Sequence, residues 1–462
     1  MKLKILLAHA DGDEGQVVAR GFADRDHDVT HVRDHAGCVH QLLHRRWDAV
    51  AIYDCPGGEP VGDLLGRIRR IAPDVPSVVV TTDASLRSTA RLLTSGAFDL
   101  LVRPVGHERV LEALERGCAS SALRSPAGIP LDATEGRIIG RSPAMVEVYK
   151  TIVRAASTRA TVLITGESGT GKELVARALH DLSPRASKRC MVIDCTAIPK
   201  SLMESELFGH VRGAFTGAVT DKRGLLEQAH GSTCMLDEIG ELEPDLQAKL
   251  LRVLQEGEVR RVGAHMWTPV DVRIVAATNR DLPGMVRDGT FREDLFYRLN
   301  VVTVQLPPLR ERVEDIPAMA EQFLLDAATR HGRAAEAFSR GALRRLCEYQ
   351  WPGNVRQLQN TIERVVALSS GRTIVEADLP RDVLQPTGAS PSRRDGDTAA
   401  ALFAAGDTLE DMKRRYILHV VARTRGNIAR AAVQLNVDRR SLYRMLERYN
   451  VEGIPGRTAA SA

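Results

Sequence analysis

Along the first hundred residues, short runs that are apolar throughout alternate with longer amphipathic stretches. The runs Lys4–Ala8, Val29–Val32, Ala49–Tyr53, Ser77–Thr81 and Leu100–Val102 predict strands. A strand without polar alternation is covered on both faces. The alternation therefore predicts a doubly wound parallel sheet with helices on either side. The opening run stops at Asp11, Asp13 and Glu14, so it reads as a first strand and not as a secretory leader. Farther on, Thr161–Thr165, Ser232–Glu238 and Val272–Asn279 predict core strands of a second α/β unit. Near the C-terminus the periodicity is helical only, which predicts an all-α unit.

At 462 residues the chain is too long for one hydrophobic core. Pro-, Gly- and Ser-rich stretches lie in 120–137 and 384–406 and predict linkers. They separate units at 1–119, 138–383 and 407–455. No apolar run reaches the ~18 residues that a membrane helix needs, so no membrane contact is expected. The seven scattered cysteines fit no common zinc spacing and read as reduced thiols of a cytoplasmic protein. A net charge of +4 decides little, so its distribution matters more.

The strand Thr161–Thr165 runs into Gly166-Glu167-Ser168-Gly169-Thr170-Gly171-Lys172-Glu173, and a helical pattern follows. Strand, glycine loop and helix are the context of a phosphate-binding P-loop. Glycines let backbone N–H groups converge on phosphate oxygens, and the helix N-terminus adds positive potential. Lys172 would reach the β- and γ-phosphates of ATP. Glu173 stands where a magnesium-ligating Ser or Thr is usual. Downstream, the apolar run Cys234-Met235-Leu236 ends in Asp237 and Glu238. Asp237 is expected to hold Mg2+, directly or through water, and Glu238 to polarise the attacking water. Asn279, at the tip of the next strand, could sense the γ-phosphate. Arg292 and Arg298 could each reach a neighbouring subunit's phosphate, although a surface ion pair is the default role of either.

Several of these segments together are specific. Gly213-Ala214-Phe215-Thr216-Gly217-Ala218 resembles the signature loop of the NtrC-like sigma-54-dependent activators, which are AAA+ ATPases. Glu206-Leu207-Phe208-Gly209-His210, Leu306-Pro307-Pro308-Leu309-Arg310-Glu311-Arg312 and Trp351-Pro352-Gly353-Asn354-Val355-Arg356 also resemble that family's pattern. The resemblance covers residues 138 to about 380 and places a helical lid at about 306–383. It implies a homo-oligomer, with dimers assembling into a hexameric ring that holds ATP between subunits. Arg292 and Arg298 would be its trans-acting fingers and Arg356 the lid's sensor. Glu173 is the residue this family typically carries. Residues Gly213 to Ala218, with Phe215 and Thr216 at the tip, would touch the sigma-54 RNA polymerase holoenzyme. Small residues on both sides of an exposed aromatic suit a loop that rearranges with nucleotide state.

One position departs from the family. Asn usually precedes Cys195, where it restrains the catalytic Glu, but this chain has Asp194. An Asp near Glu238 would add like-charge repulsion and raise one carboxylate's pKa. The expected result is altered nucleotide switching with somewhat changed turnover. Unchanged turnover and unchanged sigma-54 engagement in Asp194→Asn would refute it.

From Leu409 to Asn450 there are ten Lys and Arg against four Asp and Glu, a balance of +6. Charge alone suits a solvated face as well as a phosphate footprint. Pattern separates the two. A short helix from Asn427 to Leu435, a turn, and a second helix from Arg439 form a helix-turn-helix that resembles the Fis-like domain. Leu442, Met445 and Leu446 are expected inside, with Arg439, Arg440, Ser441, Tyr443 and Arg444 on the DNA-binding helix. Enhancer DNA is the expected partner.

The N-terminal segment ends in Gly96-Ala97-Phe98-Asp99-Leu100-Leu101-Val102-Arg103-Pro104 and resembles a two-component receiver. Receivers carry an acidic pair after the first strand, because magnesium binds beside the phosphorylated Asp. His9 and Ala10 stand there instead, and Arg103 replaces the usual Lys. Counting from Gly62 makes Asp54 the phosphoacceptor, whereas counting from Asp48 lands on Tyr53. Thr81 fits the switch hydroxyl. A degenerate receiver is expected, controlled by a sensor kinase, another regulatory protein, another ligand or dimerisation. Two other classes fit parts of the chain. A helicase loader or unfoldase would lack the Gly213–Ala218 loop, and a repressor with a vestigial ATPase would not keep Lys172, Asp237 and Glu238 together.

Overall fold

The computed structural model describes residues 2–54, 59–120, 138–369, 371–384, 409–424, 428–435 and 437–448. The chain divides into two compact units, 1–384 and 385–462. Both linker stretches, and Asn427, lie outside the described residues apart from their edges.

The first unit contains two parallel five-stranded sheets. In the N-terminal one the order is Asp28–Val32, Lys4–His9, Ala49–Tyr53, Ser77–Thr81, Asp99–Val102. The apolar runs form these strands, and polar ends extend three of them by a residue. Asp11 does not act as half of an acidic pair. Its carboxylate caps the following helix by accepting from the N–H groups of Asp13 and Glu14, at 2.9 and 3.0 Å.

The second sheet runs Val302–Gln305, Val162–Thr165, Arg273–Thr278, Thr233–Asp237, Met191–Asp194. Its register sets Asp237 beside Asp194 and Thr278 beside Thr165, so polar strand ends gather at one edge. Ligands of open α/β sheets bind at such carboxyl ends. A lid of helices Ile316–His331, Arg340–Glu348 and Asn354–Leu368 packs around the fully buried Trp351, whose indole N–H donates to the Leu346 carbonyl at 2.7 Å. Asp315 ties the lid to the core by accepting from Arg141 N, Ser142 N and Ser142 Oγ at 2.6, 2.9 and 2.7 Å.

The two sheets' domains meet where helix Leu86–Ser95 packs on helix Pro143–Ala156, and their side chains join one apolar cluster. At this joint Lys150, only 3% exposed, holds Asp99 at 2.5 Å and Glu147 at 2.7 Å. Asp99 also accepts from Arg116 at 2.9 Å, and Arg154 donates to the Phe98 carbonyl at 3.2 Å.

In the second unit, helices Leu409–Arg423, Ile428–Leu435 and Arg439–Arg448 enclose a small core that includes Ile417, Val420, Ala431, Leu442 and Leu446. Among the described residues, no helix is long and apolar enough to cross a membrane.

Candidate functional site

The loop after Val162–Thr165 turns through three glycines at positive φ, Gly166, Gly169 and Gly171, and helix Lys172–Asp181 starts directly after it. Gly169 is obligatory for a second reason. A Cβ there would stand 2.4 Å from the Gly353 carbonyl oxygen. Loop and lid thus approach backbone to backbone.

Beside the loop lies a cavity of about 540 Å³. The loop contributes Ser168, Gly169, Gly171, Lys172 and Glu173 to its wall; the strand ends contribute Asp194, Asp237, Glu238 and Asn279, and the lid contributes Arg356. Lys172 is buried, with Nζ donating to the Gly166 carbonyl at 3.1 Å and 3.4 Å from Glu238 Oε1. Glu238 has φ +52, a conformation that costs a non-glycine residue about 1–3 kcal/mol and persists where surroundings enforce it. Its N–H donates to Asp237 Oδ1 at 3.1 Å, and its Oε2 accepts from Asn279 N at 3.1 Å. Burial first, and then Glu238, push the Asp237 carboxyl above the usual range. Thr170 donates its hydroxyl to the Glu167 carbonyl at 2.8 Å. Glu173 accepts from Arg177 at 2.7 and 3.0 Å, an i,i+4 pair on the helix surface.

Asp194 lines the cavity with Asp237 and Glu238, and its side chain is held by Thr196. Its Oδ1 accepts from the N–H and hydroxyl of Thr196 at 2.8 and 2.7 Å, and these bonds hold its own pKa down. The Asp194 charge adds, as the least of the causes, to the rise at Asp237, the direction expected for one carboxylate of the pair. Thr196 and Glu241 also line the cavity, and no motif had singled them out.

Arg292 and Arg298 are exposed and line no part of this cavity. Arg292 is paired with Asp294 at 2.7 and 3.0 Å, whereas among the described residues Arg298 has a 3.4 Å contact to the Leu254 carbonyl. The helix between them exposes Tyr297, and Val301 follows it, exposed as well.

The loop Gly213–Ala218 closes on itself, with Gly213 N donating to the Ala218 carbonyl at 2.8 Å and Ala218 N to that of Phe215 at 3.0 Å. Gly213 and Gly217 have positive φ and open space about them. Phe215 is 41% exposed, and its ring meets His210 edge-on at 5.0 Å. The loop's base is sewn to Val262, which accepts from Val211 N at 3.1 Å and donates to Gly209 at 2.8 Å. Nothing in the sequence pattern had pointed to Val262.

In the N-terminal domain Thr81 donates its hydroxyl to Asp54 at 2.8 Å. Tyr53 is buried beneath Arg103, whose guanidinium lies 5.1 Å from the ring centre. Arg103 also meets Glu14 at 3.0 Å and His9 Nε2 at 3.1 Å. A protein cation therefore sits beside the strand end where receivers hold magnesium. Burial lowers the pKa of His9.

In the C-terminal unit Arg439, Arg440 and Arg444 are exposed, while Leu442 and Leu446 are fully buried and Met445 partly so. Two expected DNA-facing residues are otherwise engaged. Tyr443 packs partly against the core, and Ser441 donates its N–H and its hydroxyl, at 2.9 and 2.5 Å, to the Asp438 carboxylate that caps the helix start.

Comparison with known proteins follows the same division. Residues 138–305 match the Sigma-54 interaction domain, 310–395 the AAA+ ATPase lid domain, and 408–449 the Fis family of bacterial regulatory proteins. The chain is 42% identical over 396 residues to the regulatory protein AtoC of Escherichia coli K12, covering 84% of this chain and 85% of AtoC. It is 41% identical over 421 residues to the transcriptional regulator NtrC of Azospirillum brasilense, covering 85% and 86%. The crystal structure of NtrX from Brucella abortus in complex with ATP is 32% identical, with a TM-score of 0.50 and coverage of 98% and 100%.

Proposed function

We propose, from the premise that this chain belongs to the NtrC-like family of sigma-54-dependent transcription activators, that its ATP is cleaved where two subunits of a ring meet. The protein is an ATPase that binds DNA through its Fis-type domain and acts on sigma-54 polymerase.

In this reading the backbone N–H groups from Gly166 to Gly171 hold phosphate oxygens, and Lys172 moves from its carbonyl partners to the β- and γ-phosphates. Glu238, already braced by Asn279 N, orients the attacking water and takes its proton. Asp237 suits a magnesium ligand, because burial and like charges oppose its ionised form unless a cation stands nearby. Mg2+, held there, would supply neutralisation of the charge on the phosphates. Arg356 contacts the nucleotide from the lid. Phe215 and Thr216, carried on the Gly213–Ala218 loop, touch sigma-54. Arg439, Arg440 and Arg444 meet enhancer DNA in the cytoplasm.

The observation that carries the ring is the position of the fingers: Arg292 and Arg298 lie off their own cavity, the first just before and the second within helix Glu293–Leu299, which exposes Tyr297. Dimers assembling into a hexamer would bring them to a neighbour's phosphates. Turnover per chain should rise steeply with protein concentration and then level off. Constant turnover per chain down to nanomolar dilution would overturn the ring.

The N-terminal domain acts as a receiver whose cation position is taken by Arg103, and its control comes from a protein partner, another ligand or dimerisation and not from magnesium-dependent phosphorylation. Incubation with acetyl phosphate and Mg2+ should leave Asp54 unlabelled. Stoichiometric acyl-phosphate at Asp54 would overturn this.

A further inference from the structure

We infer that Glu167 is a positioning residue whose carboxylate fastens the helical lid to the phosphate-gripping loop and so sets Arg356 at the nucleotide cavity. It rests on the ATPase site described above and adds a role for residues outside it.

A carboxylate in a loop that receives phosphates would repel them if it faced inward. Glu167 faces the lid instead. Its Oε1 and Oε2 accept from the two terminal nitrogens of Arg310 at 2.7 and 2.9 Å, a paired geometry that only a planar guanidinium offers. Oε2 also accepts from Asn354 Nδ2 at 3.1 Å. The same amide nitrogen donates to the Ser168 carbonyl at 3.0 Å, and Asn354 Oδ1 accepts from Leu309 N at 2.8 Å. Loop, the turn Leu309–Glu311 and the first residue of helix Asn354–Leu368 are thereby knotted together.

Asn354 shows that the knot is enforced. It is wholly buried and held at φ +51, where asparagine is among the few tolerated side chains. Two residues later, Arg356 N donates to the Gly169 carbonyl at 3.2 Å, and the Arg356 side chain lines the cavity with Lys172 and Asp237. Moving Glu167 would therefore move Arg356 relative to the phosphates, without altering any group at the reacting bond. The Arg310 charge also offsets that of Glu167 beside the phosphate site.

The test is steady-state ATP hydrolysis by the full-length protein, at a concentration where turnover per chain has levelled off. In Glu167→Gln one oxygen becomes an NH2 facing donors, so KM for ATP should rise about tenfold, the loss typical of one charge-assisted hydrogen bond. kcat should fall by less than about threefold, because a binding contact and not a reacting group is displaced. Arg310→Gln should do the same, and the double variant should be no worse than either single one. Arg310→Lys, which keeps the charge but not the fork, should fall between, and it serves in place of Glu167→Gln if that variant does not fold. An unchanged KM in the single variants, a fall in kcat alone, or additive losses in the double variant would each overturn the latch.

Discussion

Replacing Arg298 by alanine should lower ATP turnover by roughly 10³-fold or more, the range found for trans-acting arginines, while ATP still binds. Developing charge on the transferred phosphoryl group is stabilised only by a cation that arrives preformed. Arg298 is the better placed of the two candidates to travel. Arg292 is forked onto Asp294, whereas among the described residues Arg298 has a long contact to the Leu254 carbonyl. The check is complementation. A Lys172→Ala chain keeps its finger and loses its own phosphate grip, so mixing it with Arg298→Ala chains should recover part of the turnover. If the mixture stays as inactive as its components, or Arg298→Ala alone hydrolyses normally, the finger role is wrong.

Phe215→Ala should separate hydrolysis from its use. ATP turnover should change by no more than about threefold, since Phe215 lines no part of the nucleotide cavity. Open-complex formation at a sigma-54 promoter should fall by ~30-fold or more, the loss expected when an aromatic anchor worth about 2 kcal/mol leaves an interface. Phe215 has the features of such an anchor: it is partly exposed, rests edge-on against His210, and sits between glycines with free space around them. Single-round transcription on linear DNA would read the effect. Normal promoter opening by the alanine variant would remove Phe215 from the contact.

Much of this was legible from the sequence, for identifiable reasons. The strands predicted from apolar runs came out within a residue at each end because those runs stop at charged or polar side chains, but the outer strands Met191–Asp194 and Val302–Gln305 of the second sheet were not among them. Local motifs also held their geometry, since strand, glycine loop and helix leave Lys172 few places to go. What stayed hidden was long-range. Glu167 and Arg310 are 143 residues apart, and no periodicity links them. The spacing of Asp194 from Cys195 gave its position but not its rotamer, and Thr196 decided the latter by offering two donors. The position of Ser441 on the recognition helix is legible, but not that its N–H and hydroxyl both donate to Asp438, whose carboxylate caps the helix. The vacancy in the acidic pair after the first strand was visible, but the convergence of Arg103, Glu14 and His9 on that spot was not.

The buried meeting of Lys150 and Asp99 sets what it costs to separate the regulatory and motor domains. Each charge also keeps a companion on its own side of the joint, Glu147 for Lys150 and Arg116 for Asp99, so parting the domains strands neither one. The contact given up is about one charge-assisted hydrogen bond, roughly 1.5–3 kcal/mol. Such a seam can be released without unfolding either side of it.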